Sequence, residues 1–257
     1  DDLGLGAQGS RVAGREERDD VDRRTIEAAG TEGLGHGGAD LLDRLALDDN
    51  GFVWASISRK VDGTQAAPGV MVIDPVNNQA RTFTSANGLP SNELYDLVKD
   101  QTGDIWAATL LGVARLSGPG GAFLPDATFL TPNVTKGEGT GFPALWNTAV
   151  RAIAVDGANR KWFGTDEGLW LFSADANEAL LHFTRENSPL PSNRIVDVAV
   201  NDRTGDVWIA TDGGVVSYRG SATITAGGPS CTKASPNPVR PDYTGLMGIS
   251  GLSNNAL

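Results

Sequence analysis

The chain repeats itself. The phrase Asp-x-x-Gly/Asn-x-x-Trp stands four times: at Asp48, Gly51, Trp54; at Asp100, Gly103, Trp106; at Asp156, Asn159, Trp162; and at Asp202, Gly205, Trp208. A small residue sits two places after each Trp, at Ser56, Ala108, Gly164 and Ala210, and Thr109, Thr165 and Thr211 follow in the last three copies. A Gly and an apolar run come next: "GVMVID" from Gly69, "GVARL" from Gly112, "GLWLF" from Gly168 and "GVVSY" from Gly214. Trp to Gly is six residues in the last three copies and fifteen in the first, which therefore carries a nine-residue insertion. "FTSANGLPSN" from Phe83 and "FTRENSPLPSN" from Phe183 precede the second and fourth copies. Self-similarity over about fifty residues, in several linked positions, restricts the chain to a repeat architecture.

Each unit reads as short strands. "VRAIAVD" and "IVDVAVND" alternate, with Val150, Ala152 and Ala154 matching Val196, Val198 and Val200. The Asp ends such a strand, and its carboxylate can cap turn amides two residues on. The Gly supplies the positive φ of a three-residue hairpin loop. Asn159 fits that slot because Asn tolerates the left-handed region best after Gly. The Trp opens the returning strand, the second Gly closes another turn, and "GLWLF" and "LLHFT" supply a third and a fourth strand. Four strands per repeat predict a β-propeller blade. The fold class is therefore all-β: a partial propeller of about four four-stranded blades. All four repeat Trps are expected in the core between blades, where a large aromatic fills the gap between two sheets. An arc of four blades is also expected to leave uncovered apolar faces on its two sides.

The ends of the chain differ from its middle. Residues 1–40 are rich in Gly, Arg, Asp and Glu without one aromatic, a composition that buries too little to offset chain entropy. They are expected to be a disordered leader, or sequence not native to the domain. Two G-x-G-x-x-G matches lie there, but neither follows a strand, as a dinucleotide site requires. Residues 41–226 are assigned to the blades. Residues 227–257 are assigned to a linker and the first strand or strands of a truncated C-terminal β-sandwich.

Little chemistry is written in the sequence. A net charge of -11 repels phosphate backbones and argues against nucleic acid. No apolar run is long enough for a membrane-spanning helix. Cys231 is the one cysteine, which excludes an internal disulfide and a cysteine zinc site. His36 falls in the leader, and His182, in "LLHFT", reads as a hydrogen-bonded strand residue. No G-x-S-x-G elbow is present. The four repeat Asp residues occupy one slot in successive blades, so they read as turn caps and not as paired acid and base. "DDNG" lacks the rest of a twelve-residue calcium loop. No catalytic residue, metal or cofactor is assigned. Trp146, in the long "GAFLPDATFLTPNVTKGEGTGFPALW" insertion, is the candidate for an exposed ligand contact; its alternative is a packing anchor for that loop.

These phrases resemble a known family. "LPSN…DVAVNDRTGDVWIATDGGVVSY" is similar to the two-component-regulator propeller repeat of Bacteroidetes periplasmic sensors. PorZ-like surface components of the type IX secretion system share it. The tail "ASPNPVRPDYTGLMGISGLSNNA" resembles the start of the C-terminal sandwich in type IX cargo and PorZ-like proteins. Pro236, Asn237 and Pro238 carry its P-N-P-V opening, and Arg240 to Leu252 its continuation. The resemblance runs from about Leu41 to the end. It implies a non-catalytic scaffold in the periplasm or outer membrane, at the cell surface. The implied partners are other secretion-complex proteins and a lipopolysaccharide or glycan. The family's propellers have more blades than the four cores here, and its sandwich has more strands, so a fragment of a longer chain is expected. A periplasmic ligand sensor of a hybrid histidine kinase is the alternative, and a propeller lyase a distant one. The P-N-P-V opening after the last blade favours the scaffold.

Overall fold

The computed structural model describes residues 42–57, 69–223, 233–235 and 248–250. The leader 1–40, the Cys231 position and Pro236, Asn237 and Pro238 lie outside the described residues.

Blade 1 contains β1 (Leu42–Leu47), β2 (Val53–Ile57), β3 (Gly69–Asp74) and β4 (Gln79–Phe83). Blade 2 contains β5 (Leu94–Lys99), β6 (Ile105–Thr109) and β7 (Gly112–Leu116). Blade 3 contains β8 (Val150–Val155), β9 (Lys161–Thr165), β10 (Gly168–Phe172) and β11 (Ala179–Phe183). Blade 4 contains β12 (Ile195–Asn201), β13 (Asp206–Thr211) and β14 (Gly214–Arg219). Every pairing within them is antiparallel and joins neighbours in sequence. β15 (Lys233–Ser235) and β16 (Gly248–Ser250) form a separate antiparallel pair.

Two blades have three strands among the described residues, against the expected four. In blade 2 the fourth place is taken by one residue: Leu130, which exchanges both backbone hydrogen bonds with Arg115 at 2.9 Å. The reason is the insertion after β7, which crosses the blade's outer edge and then turns away.

The first strands of successive blades lie side by side, β1 against β5, β5 against β8 and β8 against β12. These inner strands fix the axis of the arc. Each blade has a trailing face, which carries its Trp, and a leading face, which meets the blade before it. Trp54 packs between Phe83 and Phe129, with ring centroids 5.9 and 6.5 Å away, against Leu97, Ile105 and Ala107 of blade 2. Trp106 meets Phe163 of blade 3 at 6.2 Å. Trp162 meets Phe183 at 6.4 Å and Tyr218 of blade 4 at 5.7 Å. All three indoles are completely buried.

Trp208 is the exception to the expected core position: it is 51% exposed. Strand alternation still puts it on the trailing face, because Val207 and Ile209, on the opposite face, are buried against blade 3. Among the described residues no further sheet covers that side.

Candidate functional site

The two ends of each blade are built differently. At one end lie the Asp-x-x-Gly hairpins. Asp100 is typical: its Oδ1 accepts from the N–H of Thr102 at 2.9 Å and of Asp104 at 3.1 Å, closing the turn. Its Oδ2 accepts the indole N–H of Trp106 at 2.9 Å. Asp48 grips Asn50, Phe52 and the Trp54 indole in the same way, at 2.8, 3.0 and 2.9 Å. Asp156 holds Ala158, Arg160 and, at 3.3 Å, Trp162. The repeat therefore encodes a clasp in which one carboxylate both caps the turn and satisfies the buried indole. Gly51, Gly103, Asn159 and Gly205 sit at φ 83°, 88°, 58° and 73°.

The fourth copy departs from this pattern. Asn201, not Asp202, caps the turn, accepting from the N–H groups of Arg203 at 3.1 Å and Thr204 at 3.3 Å. The first three copies have Leu47, Lys99 and Val155 just before the Asp. Asn201 is the one side chain in that place that can compete for the turn amides. The loop lengthens accordingly, with Asn201 paired to Asp206. Asp202 Oδ1 is left buried without a partner among the described residues. Burial pushes its carboxyl up, and the Asp156 charge adds to the rise.

A buried ion pair ties blade 2 to blade 3 at this end. Lys161 Nζ donates to Asp100 Oδ2 at 2.7 Å and to the carbonyls of Asn159 and Ala174 at 2.8 and 2.6 Å. It lies 4.8 Å from the Trp106 ring centroid. Burial alone would raise the Asp100 carboxyl; the hydrogen bonds from Lys161, Thr102 and Trp106 outweigh it and hold it at about 2. Burial pushes Lys161 down, opposed by Asp100. Sequence reading missed this pair. The signal was present: Lys161 stands where Val53, Ile105 and Val207 stand in the other copies.

At the opposite end the Thr-x-x-Gly hairpins turn. Thr109, Thr165 and Thr211 each donate from Oγ1 to the carbonyl of Gly112, Gly168 and Gly214, at 2.8, 2.7 and 2.8 Å. Here the inner strands bulge at equivalent places: Tyr95, Arg151 and Val196 fall out of register with their partner strands. A bulge re-aims a side chain and is common beside functional sites.

Around these bulges a polar chain crosses three blades. The Tyr95 hydroxyl donates to Glu93 at 3.0 Å. The Arg151 guanidinium lies 4.9 Å over the Tyr95 ring and donates to both oxygens of Asp166, at 2.6 and 2.8 Å. Arg194 approaches Asp166 at 3.5 Å. Burial raises the Tyr95 hydroxyl, and the bond to Glu93 adds to that. Arg151 holds the Asp166 carboxyl below its usual range, and Asp166 raises Arg151. The insertion that carries Trp146 returns to this end, where the Asn147 N–H donates to Leu111 in the β6–β7 turn at 3.2 Å. Trp146 is 67% exposed. His182 stacks on Trp170 at 3.6 Å, and its Nε2 is 3.0 Å from the Glu167 carbonyl.

The arrangement offers aromatic faces, two guanidinium groups and carboxylates on one surface. Among the described residues no group of His, Cys, Asp or Glu is arranged to hold a metal ion. None of the bulge residues could be singled out from sequence, because a bulge is defined by register against the partner strand.

No protein-family model and no curated protein sequence matches the chain. Solved structures do. PorZ, an essential surface component of the type IX secretion system of Porphyromonas gingivalis, superposes with a TM-score of 0.50 at 22% identity. The match covers 85% of this chain and 38% of PorZ. The fold is that of a β-propeller. The extracellular domain of BT3049 from B. thetaiotaomicron, described as part of a hybrid two-component system, shares the propeller at a TM-score of 0.51 and 22% identity. That match covers 70% of this chain and 21% of BT3049. A protein described as a gluconolactonase gives 0.50 at 10% identity, over 74% of this chain and 62% of its own. This propeller chain thus spans less than two thirds of each.

Proposed function

We propose that this chain is a non-catalytic propeller scaffold and binding module of a bacterial cell-surface protein, within the type IX secretion attachment machinery. Its ligand surface is the Thr-x-x-Gly end. The observation that carries the reading is the bulge-centred chain Glu93, Tyr95, Arg151, Asp166 and Arg194, at the end of the blades to which the insertion bearing the exposed Trp146 returns. Guanidinium forks suit anionic groups, and aromatic faces suit sugar rings. A lipopolysaccharide or another glycan combines the two. The P-N-P-V opening at Pro236 supports assigning residues 227–257 to the start of a sorting-type sandwich.

Calorimetric titration of the chain with purified lipopolysaccharide tests the site. Saturable binding that weakens at least about tenfold in Arg151→Gln and Trp146→Ala, a loss of about 1.4 kcal/mol each, is the expected result. Binding unchanged in both variants overturns the site. The likeness to the BT3049 extracellular domain favours one second reading, a periplasmic sensor. Partners cross-linked to the protein in cells separate the two, since secretion components support the scaffold and a kinase supports the sensor.

A further inference from the structure

Four exposed apolar side chains gather at one outer corner of blade 2. Leu111 stands at the tip of the β6–β7 turn and is 41% exposed. Leu130, on the outer edge of β7, is 65% exposed, and Phe142 and Trp146, on the returning limb of the insertion, are 67% each. Backbone bonds tie these segments together. The Ala144 N–H donates to the Pro132 carbonyl at 2.7 Å, which sets the limb bearing Trp146 beside the limb bearing Leu130, and the Asn147 N–H donates to Leu111 at 3.2 Å. The corner adjoins the polar chain of the Thr-x-x-Gly end, since the Leu110 N–H donates to the Glu93 carbonyl at 3.0 Å.

The segments that build this corner hold no ionisable side chain. Residues 105–114, 127–135 and 139–150 contain no Asp, Glu, Lys, Arg or His, in a chain that is 21% charged and carries a net charge of -11. Their backbone is closed as well. Each exposed apolar residue already donates its N–H inside the chain: Leu111 to Thr109 Oγ1 at 3.2 Å, Leu130 to the Arg115 carbonyl at 2.9 Å, Phe142 to Gly139 at 3.2 Å and Trp146 to Pro143 at 3.2 Å. The Thr148 hydroxyl donates to the Trp146 carbonyl at 3.3 Å. A surface that binds through water has no need of such closure, whereas lipid offers nothing to take up an open N–H. Trp146 is also projected outward at a cost. Leu145 and Asn147, on either side of it, hold the left-handed region at φ 53° and 55°, which is uncommon for a leucine, while the Leu145 side chain packs inward against the core between blades 2 and 3.

We propose that this corner docks on the surface of a lipid bilayer. Trp146 and Leu111 enter the boundary between headgroups and acyl chains, and Leu130 and Phe142 lie at the margin of the contact. An indole, apolar with one polar edge, suits that boundary. An uncharged corner is the part of a strongly acidic chain that meets no repulsion from anionic lipid. A protein partner fits less well, because the apolar side chains project from turns and the segments that bear them supply no charges to set its orientation. The inference rests on the reading of the Thr-x-x-Gly end as the ligand surface. It gives Trp146 to the lipid and leaves the sugar and its anionic groups to Arg151 and Arg194.

Co-sedimentation with phosphatidylcholine vesicles, which carry neither sugar nor net charge, tests this. The chain is expected to bind them equally at low and high salt. Trp146→Ser combined with Leu111→Ser, both at exposed positions, should weaken the binding at least about tenfold while circular dichroism matches the parent. Trp146→Phe should keep the binding but lose the quenching of tryptophan emission by bromine-labelled acyl chains. A parent that stays in the supernatant overturns the proposal, and so does binding that the double variant leaves unchanged or that high salt abolishes. Polysaccharide freed of its lipid separates this proposal from the glycan site. Polysaccharide binding that requires Trp146 gives the residue to the sugar and overturns the proposal. Vesicle binding in a chain that binds no polysaccharide supports the proposal and overturns the glycan site. A protein cross-linked through position 146, with no vesicle binding, makes the corner a protein interface and overturns the proposal.

Discussion

Lys161→Met removes the cation from the blade 2 to blade 3 junction while keeping most of its stem volume, so the cavity contribution is small. What remains is Asp100, a buried carboxylate that has lost its 2.7 Å partner. In the intact chain its carboxyl stands at about 2 against an ordinary 3.8. At about 1.4 kcal/mol per pH unit, that difference favours folding by about 2.4 kcal/mol at neutral pH. A depressed carboxyl stabilises the fold fully above its unfolded value and stops doing so as pH falls through its folded value. Without Lys161, the burial that raises Asp100 loses its strongest opponent, and this stabilisation is largely lost. Removing one partner of a buried pair costs about 3–5 kcal/mol. The low end is expected here, because Thr102, Asp104 and Trp106 still donate to Asp100. Urea unfolding followed by tryptophan fluorescence measures the loss, with an unchanged slope showing that the same surface is exposed. The difference from the parent should be about 3 kcal/mol at pH 7 and should narrow steadily below pH 4, as Asp100 protonates in both proteins. Adding Asp100→Asn to Lys161→Met should recover part of the loss. A cost under about 1 kcal/mol, or one that does not vary with pH, would show that Lys161 contributes packing alone.

Trp162→Ala should cost about 3–5 kcal/mol in urea unfolding, and Trp208→Ala, at a half-exposed position, under about 1 kcal/mol. Asp48→Ala strands the Trp54 indole N–H together with two turn amides and should cost about 2–3 kcal/mol by the same assay. Gly168→Ala adds a Cβ that would lie 2.3 Å from the Phe183 carbonyl oxygen at φ 120°. It should lower stability by at least about 3 kcal/mol, or prevent soluble expression.

The repeat made the blade legible because its signals are local. A strand-ending Asp, a residue at positive φ and a Trp on the returning strand lie within seven positions, as in Asp100 to Trp106. Asn159 in the glycine slot could be anticipated from backbone preference alone. The indole-to-carboxylate bond went unread although both partners were in view, because neither residue type requires the other. Lys161 went unread because a lysine in a strand is ordinarily solvated, and only the packing of blade 3 on blade 2 encloses it. Trp208 was assigned by analogy with its three counterparts, but burial is a property of the neighbour, and no described sheet follows blade 4. The polar chain at the Thr-x-x-Gly end depends on register and on three blades meeting, neither of which a linear pattern records.

The clasp has a consequence for how the chain acquires its structure. The carboxylate and the indole that it holds are six residues apart in Asp48 and Trp54, so the hairpin can form from nearby sequence as soon as both have been synthesised. Once formed, the hairpin orients its Trp toward the place that the next blade will occupy. Each finished blade is thus a template for its successor. Assembly can proceed from the N-terminal side in the order of synthesis, with no long-range pairing to search for. Protection from hydrogen exchange in nascent chains of increasing length should then advance one blade at a time, beginning with β1 to β4.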